Sequence, residues 1–214
     1  MILWSNILIF TVYYVIVFTI KKIQIQLKKK SKYSNQDFLI KLKEIANDNK
    51  YLNFERAKYY GYDPRKITIF YIKKEEYSAY DTFAIYHELG HYLDDLKSKR
   101  ILFNMSVTCI NRLLAIPIYF GISILALAGT QLFVKISYII FLLEILLFLH
   151  RMYFIVKYEK SASKYAIMRL SDYLDEISLK YIRRVSCLSI VSQIIFSAIW
   201  LMIIVFMQII INYK

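Results

Sequence analysis

Two of the three histidines in this 214-residue chain stand four residues apart in "YHELGHYLDD", Tyr86 to Asp95, and Glu88 directly follows the first of them. On an α-helix, residues four apart lie about 40° apart around the axis and one turn along it. His87 and His91 therefore offer two imidazoles to one point in space. Glu88 is one step round from His87, so it borders that point without being aimed at it, as a base beside a metal-activated water would. H-E-x-x-H on a helix is the spacing in which two histidines bind zinc and the glutamate serves as general base. A catalytic zinc keeps three protein ligands and an open position. A third ligand is therefore expected elsewhere in the chain.

The acidic and imidazole candidates are few. Asp94 and Asp95 share the helix of His91, and three ligands from one continuous helix fit a tetrahedron badly. They are expected to be solvated charges, the other reading being that they orient an imidazole N–H. Glu144 lies inside an apolar stretch, where an ionisable group is costly and points to a partner or a role. It is about 22 Å from Glu159 along a continuous helix, and His150, nine residues before Glu159, falls on the opposite face. Glu159 opens "EKSASKYA", Glu159 to Ala166, at the end of that apolar stretch. Ala162 and Ser163 on its own face would let its helix approach the histidine helix closely. Glu159 is the expected third ligand.

The elements that must carry these groups are mostly apolar helices. The chain is 58% hydrophobic with only four Gly and two Pro, and its mean hydropathy is +0.40. A loop-rich β protein is excluded on that ground. Four stretches approach the roughly 20 residues that a transmembrane helix needs. The reading is an N-terminal transmembrane anchor at 1–20, a cytoplasmic segment with the H-E-x-x-H helix at 21–107, and a transmembrane hairpin at 108–156. A cytoplasmic helix with the third ligand follows at 157–184, then a C-terminal span at 185–211. The first stretch lacks a basic leader and a small-residue cleavage site, so it reads as a retained anchor rather than a signal peptide.

The net charge of +13 is unevenly placed. Of 29 Lys and Arg, 19 lie from Lys21 to Arg112 and seven from Lys157 to Arg184. Such a bias puts both polar segments in the cytoplasm and the amino terminus outside. The same basic surface would attract anionic lipid headgroups of the bilayer. No nucleic-acid-binding signature accompanies the charge, so nucleic acid is not an expected partner. Cys109 and Cys187 lack C-x-x-C spacing and are expected to be packed thiols without a role.

Within the polar segment, Ser34 with Asp37 forms a capping box for a helix of about twelve residues, and Ser78 with Asp81 forms a second one that opens the histidine helix. "GYDPRK", Gly61 to Lys66, is turn chemistry. The β-branched and aromatic "ITIFYI", Ile67 to Ile72, predicts a strand able to pair with a substrate backbone.

These features together resemble the membrane-embedded neutral zinc metallopeptidases of the YugP type. The resemblance runs through "YDP" at Tyr62 to Pro64, the following strand, Ser78, H-E-L-G-H at His87 to His91, the membrane spans, and E-x-x-A-S at Glu159 to Ser163. It covers roughly half the chain. The HtpX-like membrane peptidases share the plan but end the second motif in Asp where this chain has Ser163. The family commonly carries Gln shortly after the second histidine, where this chain has Asp94 and Asp95. Aromatic and acidic residues usually follow the ligand glutamate, where this chain has Lys160 and Ser161. The resemblance implies His87, His91 and Glu159 as zinc ligands and Glu88 as the catalytic residue.

The expectation is thus a mainly α, four-span helical membrane protein with a small cytoplasmic zincin-like α+β lobe. It would act as a zinc endopeptidase on protein or peptide substrates, the rival being a zinc-binding but non-proteolytic adaptor or immunity-type protein. The 20 tyrosines leave the group that stabilises the oxyanion open.

Overall fold

The computed structural model describes residues 2–29, 33–34, 40, 42–45, 51–98 and 116–213, with side chains from residue 8 onward in the first segment. It is mainly helical with a small sheet and divides into two compact units. One comprises Val15–Leu102 and Lys157–Ile190, the other Met1–Tyr14, Phe103–Val156 and Val191–Lys214.

The first of these units holds all the short strands. Strand β2 (Asn53–Arg56) runs parallel to β4 (Thr68–Tyr71), and β3 (Gly61–Asp63) pairs antiparallel on the other side of β4. A second ladder joins β1 (Tyr33–Ser34) to β5 (Glu76–Tyr77). The predicted turn is present, shifted to residues 64–67, and Asp63 holds it by accepting the Arg65 N–H at 2.9 Å. The predicted strand is present as β4, but it is central in the sheet. Both of its edges are already paired, so it has no free hydrogen-bonding groups to offer a substrate, and that expectation is corrected. Within this three-stranded sheet the outer strands, β2 and β3, carry the open edges.

Helix α1 (Ile2–Lys28) does not end where the lysines begin. Lys21 and Lys22 are exposed, whereas Ile20, Ile23 and Leu27 recur at three- and four-residue spacing and are buried. That stripe joins Ala79 and Phe83 of α2 (Ala79–Ser98), Ala166 and Leu170 of α5 (Lys160–Leu170), and Leu179, Ile182 and Val185 of α6 (Glu176–Asn212) in one core. The end of α1 is therefore part of this unit's interior rather than a surface stretch after an anchor. On the other side of α2, Leu89 and Tyr92 pack with Leu52 and Ile69 of the sheet region.

The second capping box forms as predicted. Ser78 N–H and Oγ–H donate to Asp81 Oδ2 at 2.9 and 2.7 Å, and Asp81 N–H returns to Ser78 Oγ at 3.3 Å. Tyr60 donates to Asp81 Oδ1, as does Lys74. The first capping box falls mostly outside the described residues, as does Cys109. Cys187 is an exposed free thiol, not the packed one expected.

In the other unit, α3 (Ile116–Leu127) and α4 (Gln131–Phe154) form the expected hairpin, with Gly129 at φ 96° in its turn. That left-handed conformation favours glycine, which has no Cβ to clash. The only buried side chains of α4 are Ser137 and Glu144, while Leu132, Ile139, Leu142, Leu146 and Leu149 are exposed. This apolar-outside order suits lipid rather than water. Tyr119 Oη donates to Ile204 O at 2.9 Å, and Gln208 Nε2 reaches Ser137 Oγ at 3.4 Å. Among the described residues, three helical stretches are long and apolar enough to cross a bilayer: Leu8–Lys28, Gln131–Leu170 and Glu176–Asn212. They mark a membrane protein. Of the predicted second span only α3 is described.

Burial pushes the Asp81 carboxyl up, but Lys74, Ser78 and Tyr60 outweigh it and hold the group below its ordinary range. A carboxyl whose pKa is depressed on folding adds stability above its unfolded pKa of about 3.9, and that stability is lost as pH falls through the folded value. Asp81→Ala leaves Lys74 beside a buried gap and should cost on the order of 3 kcal/mol at neutral pH. Thermal melts of wild type and variant should converge as pH drops below about 3.9. A difference that stays constant well below that pH would show that the charge is not what Asp81 contributes.

Candidate metal centre

The capping box fixes the start of α2, and with it the phase of the two histidines. Their rings stand nearly perpendicular, 85° apart in plane and 4.7 Å between centroids. Glu159 meets them from the far end of the chain's middle section. Its Oε2 lies 3.2 Å from His87 Nε2 and its Oε1 lies 3.7 Å from His91 Nε2. Among the described residues these three form the one group of possible metal-ligating atoms, all within 4.8 Å of one another. Ligands bound tetrahedrally to zinc at about 2.0–2.1 Å stand about 3.4 Å apart. The donor set and its spacing fit a metal ion of that kind.

Two features bring Glu159 here. The helix that begins as α4 passes through a π-helical turn, Ile155–Glu159, before α5. There the Ile155 N–H is shared between Arg151 O and Met152 O. Such turns gather at functional sites. Closeness is supplied by Gly90, between the two histidines. A Cβ added there would lie 2.7 Å from Ala162 Cα and 3.0 Å from Ala162 O. Glycine at 90 and alanine at 162 are what let the two helices cross at this separation.

Hydrogen bonds cross the same interface. Ser163 Oγ lies 3.2 Å from His87 Nδ1, which orients the ring so that Nε2 faces Glu159. Ser161 Oγ donates to Asp94 Oδ1 at 3.1 Å, and Tyr62 Oη donates to Asp95 Oδ2 at 3.1 Å. Asp94 and Asp95 are thus hydrogen-bonded links to other elements, not the solvated charges expected. Glu144 and His150 are outside the triad, as the helix geometry required. Sequence reasoning valued Ser163 for its small size and its place in the E-x-x-A-S pattern, not for a contact with His87. A serine four residues after the ligand glutamate, on the same face, was the signal for its contact with His87.

Burial is the largest influence on all three central groups. It drives the His91 pKa down to about 4, with the neighbouring His87 charge adding to the effect. A neutral imidazole is the form that ligates metal. Burial also lowers His87, but the hydrogen bond and charge of Glu159 outweigh it and leave His87 raised. Glu88 is raised to about 7, chiefly by burial and also by the Glu159 charge, against the lowering effects of His87 and a hydrogen bond from the Tyr62 N–H. Glu88 is thus held at the edge strand β3, beside the triad and not in it.

No known protein family, curated protein or solved structure matches this chain.

Gly90→Ala should separate α2 from α5 and lower bound metal at least tenfold in purified protein, read as metal per chain by elemental analysis. Gly121→Ala, where an added methyl meets nothing within 4 Å, serves as the control and should change nothing. Full metal content in Gly90→Ala would mean that the close crossing does not hold the centre together.

Proposed function

We propose that the protein is an integral membrane zinc endopeptidase. The observation that carries this reading is the convergence of His87, His91 and Glu159 at ligand spacing, with a half-buried carboxylate, Glu88, as the next residue on the histidine helix. Two imidazoles and one carboxylate are a donor set of catalytic zinc sites. Zinc bound there would supply Lewis acidity, acidifying a water and polarising a peptide carbonyl. Glu88 accepts the proton of the attacking water and returns it to the amine as the carbon–nitrogen bond breaks. His87 is steadied by Ser163, and His91 stays neutral in its buried position. The backbone of an extended substrate adds to the open edge of β3, where the Tyr62 N–H already points at Glu88. The bias of Lys and Arg supports a site facing the cytoplasm, with the amino terminus outside.

Glu88→Gln tests the chemistry. It should keep metal at the wild-type level and lower cleavage of fluorescein-labelled casein by at least about a hundredfold, the scale of a lost acid–base group. Glu159→Ala should lose both metal and cleavage. If Glu88→Gln loses metal as readily as His87→Ala, Glu88 is a ligand and the roles are wrongly assigned.

Sidedness is tested separately, in a Cys109→Ser, Cys187→Ser background. A membrane-impermeant maleimide applied to intact cells should label a cysteine at Gly129 and spare one at Lys97. Labelling at Lys97 would put the site outside.

A further inference from the structure

The hydroxyl of Tyr80 is held in an unusual way. Gln24 of α1 donates to it from Nε2 at 2.8 Å, so the phenol oxygen acts as acceptor in that bond. Its own O–H has no acceptor among the described residues, although the side chain is half-buried at the first turn of α2. A half-buried donor that is fixed by one partner and left without an acceptor is prepared for a ligand.

Its position says which ligand. Tyr80 precedes His87 by seven residues, close to two full turns, so both side chains leave α2 on nearly the same face. Phe83 lies between them, its ring 5.7 Å from that of His87. Burial raises the Tyr80 pKa, and the charges of Asp81 and Glu88 reach it and raise it further. Tyr80 is therefore a neutral donor that shares the surroundings of the general base. Seven residues of helix rise about 10 Å, which about three residues of extended peptide also span. Gln24 itself is half-buried between Ile20 and Leu27 on the face of α1 that enters the core.

We propose that Tyr80, held by Gln24, is a substrate-positioning residue whose hydroxyl donates to a backbone carbonyl of a peptide lying along α2, about three residues from the bond cut. The assignment rests on the endopeptidase reading and adds to it where the chain of the substrate is gripped. It also gives α1 a part in substrate binding beyond membrane attachment.

The probe is fluorescein-labelled casein, with initial rates measured over a range of concentrations on the full chain in detergent. Tyr80→Phe keeps the ring and removes the donor. It should raise KM about five- to tenfold, the effect of one lost hydrogen bond, with kcat within twofold and metal content unchanged. Gln24→Glu should have the same effect, because a carboxylate there accepts the Tyr80 proton and withdraws it from substrate. The two changes combined should be no worse than either alone. A purely structural role would lower the melting temperature without this split between KM and kcat. An unchanged KM in Tyr80→Phe overturns the proposal, as does a fall in kcat alone. Should Tyr80→Phe fail to accumulate, Gln24→Glu decides by the same criterion. Wild-type protein that binds metal but leaves casein intact would instead overturn the endopeptidase reading, and this assignment with it.

Discussion

The centre depends on the distance at which α2 and α5 cross. Packed helices usually sit about 8–10 Å apart, with side chains filling the gap. Here a single methyl at position 90 has no room, since it would fall 2.7 Å from the Ala162 backbone. A glutamate side chain has a fixed reach, and Glu159 must touch imidazoles on two successive turns of α2 at once. It does so with one oxygen for each, which only a close crossing permits. The price of placing glycine inside a helix, about 1 kcal/mol against alanine, is therefore accepted at the point between the two ligands.

That crossing is held from several directions. Ser163 to His87 and Ser161 to Asp94 bridge it directly. Behind α2, Leu89 and Tyr92 are buried against the sheet region, and at its first turns Ala79 and Phe83 join the core with α1, α5 and α6. The histidine helix is thus loaded on both faces, and neither imidazole can turn away without moving packed side chains. Interiors pack densely enough to transmit such constraints. A sheet with strands of four residues or fewer would be marginal alone, and it gains its place from α2 as much as it supports it.

What could be read in advance was local. The spacing of His87 and His91 and the box of Ser78 and Asp81 each involve residues within a few positions, where helix geometry decides the outcome. Glu159 was reachable because acidic residues are scarce near the spans and because Ala162 and Ser163 follow it at helical spacing. The missed contacts join residues far apart in the chain: Ser163 with His87, Tyr62 with Glu88 and Asp95, Gln24 with Tyr80. Nothing in the local sequence of Tyr62 or Gln24 names a partner. The extent of α1 was misjudged for another reason. Lys21 and Lys22 look like the end of a span, but lysine does not end a helix, and the Ile20, Ile23 and Leu27 stripe continues past them. The position of β4 inside the sheet was also hidden, because pairing order depends on connections that strand propensity does not encode.

Charge explains why this constellation can be buried in a protein that is otherwise strongly basic. Glu159 is close enough to Glu88 to raise its cost of ionisation. Two buried like charges are unfavourable unless something of opposite sign lies between them. A divalent cation bound by His87, His91 and Glu159, with Glu88 alongside, brings the formal charge of the group to zero while both imidazoles stay neutral. Protons answer the same need in acid, which is why metal affinity at such donors falls as pH falls. The lysines on the exposed face of α1 cannot take this role, since their charge is screened by solvent over about a Debye length. With a dication held there, the second carboxylate would complete a neutral group. Its position, one residue from His87 and outside the triad, suits the proton-handling role proposed for it.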